Sequence, residues 1–98
     1  MVKTFKKIEI YVPTVFTPNG DGLNDYLRPV LMGFKKVNYF RVYNRWGQLL
    51  FQMNSDLPGW NGMVKGVLQD MQAIVWMIEA EDVDGIIQQK KGSSIIMR

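Results

Sequence analysis

Cysteine and histidine are both absent from this 98-residue chain, and together the two absences remove most common catalytic chemistries. Without cysteine there is no disulfide framework, no thiolate nucleophile and no cysteine-bearing metal site. Without an imidazole, Ser-His-Asp catalysis and histidine-ligated zinc are excluded. Long apolar runs are also lacking. No stretch approaches the roughly 20 apolar residues of a membrane-spanning helix, and Met1-Val2-Lys3-Thr4-Phe5-Lys6-Lys7 has no apolar centre of the kind a signal peptide carries. The expectation is a cytosolic protein or a piece of a longer one whose export signal lies upstream, with Met1 an added start. Helical periodicity is missing as well, since no window keeps 3.6-residue spacing through three turns.

What is present is an ordinary globular composition. Hydrophobic residues make up 47% and charged residues 21% of the chain, far from the signature of disorder. A chain this size buries roughly 60–65% of its unfolded surface, so neither half has a core to spare. One domain over residues 1–98 is expected, with 1–9 reading as part linker or added start. The net charge of +3 is mild. Lysines gather only at Lys3, Lys6, Lys7 and at Lys90, Lys91, which is too little for the concentrated basic face of a nucleic-acid domain.

Glycine and proline cut the sequence into short blocks at Pro13, Pro18 to Gly22, Gly33, Gly47, Pro58-Gly59, Gly62, Gly66, Asp84-Gly85 and Gly92. Between them lie runs rich in Val, Ile, Tyr, Phe and Trp, which read as strands over 8–12, 26–32, 37–44, 48–53, weakly 63–69, 73–81 and 86–98. Phe40 and Val42 alternate with Tyr39, Arg41 and Tyr43, and Ile74, Trp76 and Ile78 with Val75, Met77 and Glu79. Large side chains on both faces of these two runs mark them as central strands. Asn44-Arg45-Trp46-Gly47-Gln48 predicts a hairpin turning at Gly47. Val83-Asp84-Gly85-Ile86 predicts a second, with the Asp-Gly pair favouring a type I′ turn. About seven short strands in this length predict an all-β, immunoglobulin-like antiparallel β-sandwich.

Several blocks carry a resemblance. Residues 12–25, Val-Pro-Thr-Val-Phe-Thr-Pro-Asn-Gly-Asp-Gly-Leu-Asn-Asp, look like the opening of the gliding motility-associated C-terminal domain of Bacteroidetes, the type B sorting domain of the type IX secretion system. Residues 40–51, with Asn44-Arg45-Trp46-Gly47 at their centre, resemble that family's strand, turn and strand. Gly59-Trp60-Asn61-Gly62 with Lys65-Gly66 resembles its Gly-Trp-Asp-Gly segment and following Lys-Gly, and Ile74 to Ile78 with Asp84-Gly85 its penultimate strand and hairpin. One departure is Asp70-Met71-Gln72, where the family commonly has Pro-x-Gly. The resemblance spans about residues 10–98. It implies an immunoglobulin-like C-terminal sorting domain and not an enzyme, covalently joined to an upstream cargo and read by outer-membrane components of the type IX machinery. The implied destination is the cell surface or the medium, by way of periplasm and outer membrane. No cofactor, nucleic acid or small-molecule substrate is implied.

The candidate sites follow from the residues. Pro18, Asn19, Gly20, Asp21, Gly22, Asn24 and Asp25 form a loop motif, in which Asn19, Asp21, Asn24 and Asp25 resemble part of a calcium loop. Calcium takes about six to eight oxygens, more than these side chains supply, so a turn in which Asn and Asp bond their own backbone is the favoured reading. A calcium-dependent adhesion or carbohydrate-binding sandwich is the alternative function. Asn44, Arg45, Trp46 and Gly47 read either as a recognition surface or as a turn whose Trp46 caps the core. Trp60 and Trp76 are expected in the core. Glu79 and Glu81 share one strand face but read as solvated acids. The last strand, with Lys90, Lys91 and Arg98, reads either as an ordinary closing strand or as a basic, chemically distinct end suited to recognition.

Overall fold

In the computed structural model, which describes residues 8–18, 25–54 and 59–97, the two alternating runs become the two longest strands. In chain order the strands are β1 (Glu9–Tyr11), β2 (Val15–Phe16), β3 (Val30–Met32), β4 (Phe34–Asn44), β5 (Leu49–Met53), β6 (Met63–Val64), β7 (Val67–Leu68), β8 (Gln72–Asp82) and β9 (Ile87–Ile96). Five of them form one sheet in the order β2-β9-β8-β4-β5, while β1–β3 and β6–β7 are two-stranded ribbons. The run β5-β4-β8-β9 repeats the C′-C-F-G order of a variable-type immunoglobulin sheet.

One face of the five-stranded sheet is the core. Ile74, Trp76, Ile78 and Ala80 of β8 point inward with Phe40 and Val42 of β4 and Ile96 of β9. The opposing layer contributes Val12, Leu27 and Trp60, with Ile10, Leu31 and Val64 packed around them. Full burial of each such side chain is worth roughly 1.5–3 kcal/mol, which makes this cluster the main source of stability. Trp60 is completely buried; its ring lies 5.6 Å from that of Phe16, and its indole N–H donates to the Met63 carbonyl at 2.9 Å. Gly59 is what lets this segment close on its neighbour, because a Cβ there would collide with the Leu27 carbonyl oxygen. Trp60 and Leu27 then exchange backbone hydrogen bonds of 2.9 and 2.8 Å.

The architecture is the expected all-β sandwich, with nine strands where about seven were predicted, and each difference has a local cause. Val15–Phe16 is an additional strand, and it runs parallel to β9. Burial of Phe16 draws it in, and hydrogen bonds from Ile95 N to Thr14 O and from Met97 N to Phe16 O hold it. Residues 26–32 shrink to β3 because Pro29 has no N–H to offer a ladder. The weak strand at 63–69 is a hairpin, β6–β7, turning at Lys65-Gly66. Positive φ at both residues, 51° and 80°, makes that turn type I′. The Asp84-Gly85 turn is not type I′: only Gly85 has positive φ there, so it is a type I turn followed by a glycine bulge. Along β4, Val37 and Phe40 both face inward because a register shift between Val37 and Tyr39 resets the alternation.

Candidate functional site

The β4–β5 turn is built on Asn44. Its backbone closes the hairpin, with Asn44 N donating to Gln48 O and Gly47 N to Asn44 O, each at 3.0 Å. Its side-chain oxygen accepts from Trp46 N and Gln48 N, and its amide nitrogen donates to Gln48 Oε1 at 2.7 Å. Gly47 completes the turn at φ 83°, a conformation that favours glycine. Asn44 is only 8% exposed, so Asn44 and Gly47 are scaffold. What they display is Arg45 and Trp46. Trp46 is 69% exposed, and the Arg45 guanidinium carbon lies 4.4 Å above its ring. The alternative in which Trp46 caps the core is therefore corrected: the tight turn directs its side chain away from the sheet interior. Trp60 and Trp76 are the core tryptophans, as expected.

The β8–β9 turn repeats the device. Asp82 Oδ1 accepts from Asp84 N and Ile86 N, and Asp82 Oδ2 from Gln88 Nε2. Gly85 N donates to Asp82 O and Asp82 N to Ile86 O. Asp82 is fully buried, and its role in building the turn is one that sequence reasoning did not assign to it. The spacing that would have found it is the one already seen at Asn44-Arg45-Trp46-Gly47, an Asn or Asp three residues before a glycine. Because Phe34 pairs with Asp82 and Asn44 with Ile74, the two turns sit at opposite ends of the β4–β8 pair.

The basic candidates separate. Lys90 lies on the core-side parity of β9, and its Nζ donates to the Ile10 carbonyl at 2.9 Å, tying β1 to the main sheet. Lys91 is exposed on the outer face, beside Met77 of β8. Arg98 lies outside the described residues, as do Asn19, Gly20, Asp21, Gly22 and Asn24 of the loop motif. Pro18 and Asp25 are within them, and both are half-buried.

Ser94 is a second residue that sequence reasoning missed. Its hydroxyl donates to the Pro13 carbonyl at 2.6 Å and accepts from the Trp76 indole N–H at 3.1 Å. Gly92, opposite Trp76 in the β8–β9 ladder, leaves room for the indole.

The acids of the outer face are held ionised. Glu79 sits below its ordinary 4.5 because Gln89 and then Asn38 donate hydrogen bonds to it. Glu81 sits below the same value chiefly because Lys35 donates to it at 2.8 Å. A general acid working near neutrality needs the opposite shift. A cleft of about 590 Å³ beside β3 and β4 is lined, among the described residues, by Arg28, Lys35 and Lys36 over an apolar floor that includes Leu31, Phe34 and Met53, with no carboxylate.

Compared with known families, residues 10–95 match the model of the CHU_C type IX secretion signal domain. No curated protein and no solved structure matches the chain.

Proposed function

The chain belongs to the type IX secretion signal domain family, and from that premise we propose that it is recognised in its folded state by outer-membrane components of the type IX machinery. The family is one of signal domains, not enzymes. A member implies attachment to a cargo, engagement with the secretion system, and export to the cell surface or extracellular space. Within that frame the cargo first reaches the periplasm, and the folded domain then directs it across the outer membrane. Arg45 and Trp46 carry the recognition, with Lys91 and Arg98 as further contacts.

The observation that supports this reading is the exposure of Trp46 on a turn immobilised by Asn44. A rigid, solvent-facing Trp stacked by Arg combines the two residue types most enriched in binding hot spots. It adds nothing to the core, so folding alone gives no reason to display it.

The test is transplantation. Residues 1–98 are fused behind a signal peptide and a reporter in a bacterium with a type IX system. Surface or secreted reporter is expected with the wild-type domain, and periplasmic reporter with Arg45→Ala/Trp46→Ala at an unchanged melting temperature. Reporter retained in the periplasm by the wild-type domain refutes the sorting role. Full export of the double variant refutes recognition through this turn.

A further inference from the structure

Beyond the turn, the five-stranded sheet leaves its outer face open among the described residues. The residues of β8 that alternate with buried Ile74, Trp76 and Ile78 lie there in three rows. In the first row Val15 and Ile95 stand beside Ala73. The second runs from Val75 through Tyr43 to Leu49. The third sets Met77 between two cations, Lys91 on one side and Arg41 on the other. Val75 is 40%, Ile95 46% and Leu49 51% exposed. The apolar rows thus run across the sheet at the end where Trp46 projects, and their flank is cationic. The outer-face acids, Glu79 and Glu81, lie further along β8 and are engaged by Gln89, Asn38 and Lys35.

We infer that this outer face is a docking surface for a protein partner that presents an apolar strip edged by carboxylates. The inference rests on the sorting reading and deepens it by naming the partner's chemistry. Charge complementarity selects the occupant: the charged side chains in these three rows are Arg41 and Lys91, which call for acids opposite them. A second copy of the chain brings the same cations, and its outer-face acids, Glu79 and Glu81, are already engaged by Gln89, Asn38 and Lys35. The three rows hold nine positions, three strands wide each; at ~4.8 Å between strands and ~6.8 Å between rows they cover on the order of 290 Å², well below the ~800 Å² per partner of a standard interface. The patch is the apolar centre of an interface whose rim includes Arg41, Lys91 and Arg45.

The experiment uses the same reporter fusion with two sets of substitutions. Val75→Thr/Ile95→Thr keeps β-branched side chains while removing apolar contact; Arg41→Glu/Lys91→Glu reverses the flanking charge. The control is Val67→Thr, an exposed apolar residue on β7 away from this face. Each set is expected to cut export at least tenfold, with the far-UV spectrum of the purified domain retained and the control exporting fully. Full export of either set overturns the inference while leaving the sorting role intact, and a wild-type domain that fails to export removes both. Should a double variant unfold, Ile95→Thr and Lys91→Glu alone carry the same expectation of reduced export. The purified domain is expected to sediment as a monomer and not to bind phosphatidylglycerol vesicles. A dimer dissolved by the apolar set, or vesicle binding abolished by the charge set, overturns the assignment in favour of a second copy or an anionic membrane.

Discussion

Replacing Gly92 by alanine tests whether the contact between β9 and Trp76 is as close as the geometry says. In most strand interiors glycine is a weak choice, and Gly→Ala there is worth roughly 0.5–1 kcal/mol of added stability. At Gly92 the new Cβ would stand 2.6 Å from Trp76 Cζ2 and 3.1 Å from both Cε2 and Cη2. The ring is rigid and 4% exposed, so the methyl must displace the whole indole. Overpacking of this kind costs about 1–3 kcal/mol. Moving the ring also strains its bond to Ser94, whose hydroxyl ties β9 to Pro13 ahead of β2, adding about 0.5–1.5 kcal/mol. The net expectation is a loss of about 1–3 kcal/mol, equivalent to roughly 5–20 °C in Tm for a domain of this length. Urea unfolding followed by far-UV circular dichroism reads it without relying on the fluorescence of the perturbed residue. In a Trp76→Phe background the same substitution should cost at least about 1 kcal/mol less, since the clashing ring edge is gone. A Gly92→Ala protein as stable as wild type, or more so, would refute the reasoning.

Three further outcomes are expected. Asn44→Ala strips the β4–β5 turn of its side-chain acceptor and should cost about 1–3 kcal/mol in chemical denaturation, whereas Asn44→Asp, which copies the arrangement seen at Asp82, should cost less than about 1 kcal/mol. Lys65→Asn should raise stability by up to about 1 kcal/mol, because Lys65 holds φ 51° in a type I′ turn whose first position favours asparagine; an unchanged or lower denaturation midpoint contradicts it. Glu79 and Glu81 have folded pKa values below 4.5, so their stabilisation is present above the unfolded value and lost as pH falls through the folded one. Tm should therefore decline on acidification below about pH 4.5, and Glu81→Gln should flatten that decline.

Much of this molecule was determined by local pattern. Alternation over 39–43 and 74–79 is enough to make β4 and β8 central strands, because a period of two with large residues on both parities has few other stable placements. The two hairpins are set by an Asn or Asp three residues ahead of a glycine, which closes its own turn before any distant contact forms. The loop motif, the Asn-Arg-Trp-Gly turn and the Gly-Trp-Asn-Gly segment are contiguous, so the family they belong to was readable from residues 12–62 and 74–85.

Tertiary structure decided what depends on partners far along the chain. The three tryptophans are chemically identical, yet Trp60 is buried against Phe16 and Trp76 against Gly92 while Trp46 faces solvent; the local turn turns Trp46 outward, but the partners that bury Trp60 and Trp76 lie far along the chain. Lys90 and Lys91 are neighbours in sequence, but strand alternation sends one to clamp β1 and the other to the outer face. The parallel pairing of β2 with β9 joins residues about 80 positions apart, and it exists because Phe16 fills the core beside Trp60 and Ser94 reaches the Pro13 carbonyl. Local sequence chooses the turns and the strand faces. Only the closed sandwich, in which loop-closure entropy is repaid by contacts across the whole chain, determines which of those faces is covered and which is left for a partner.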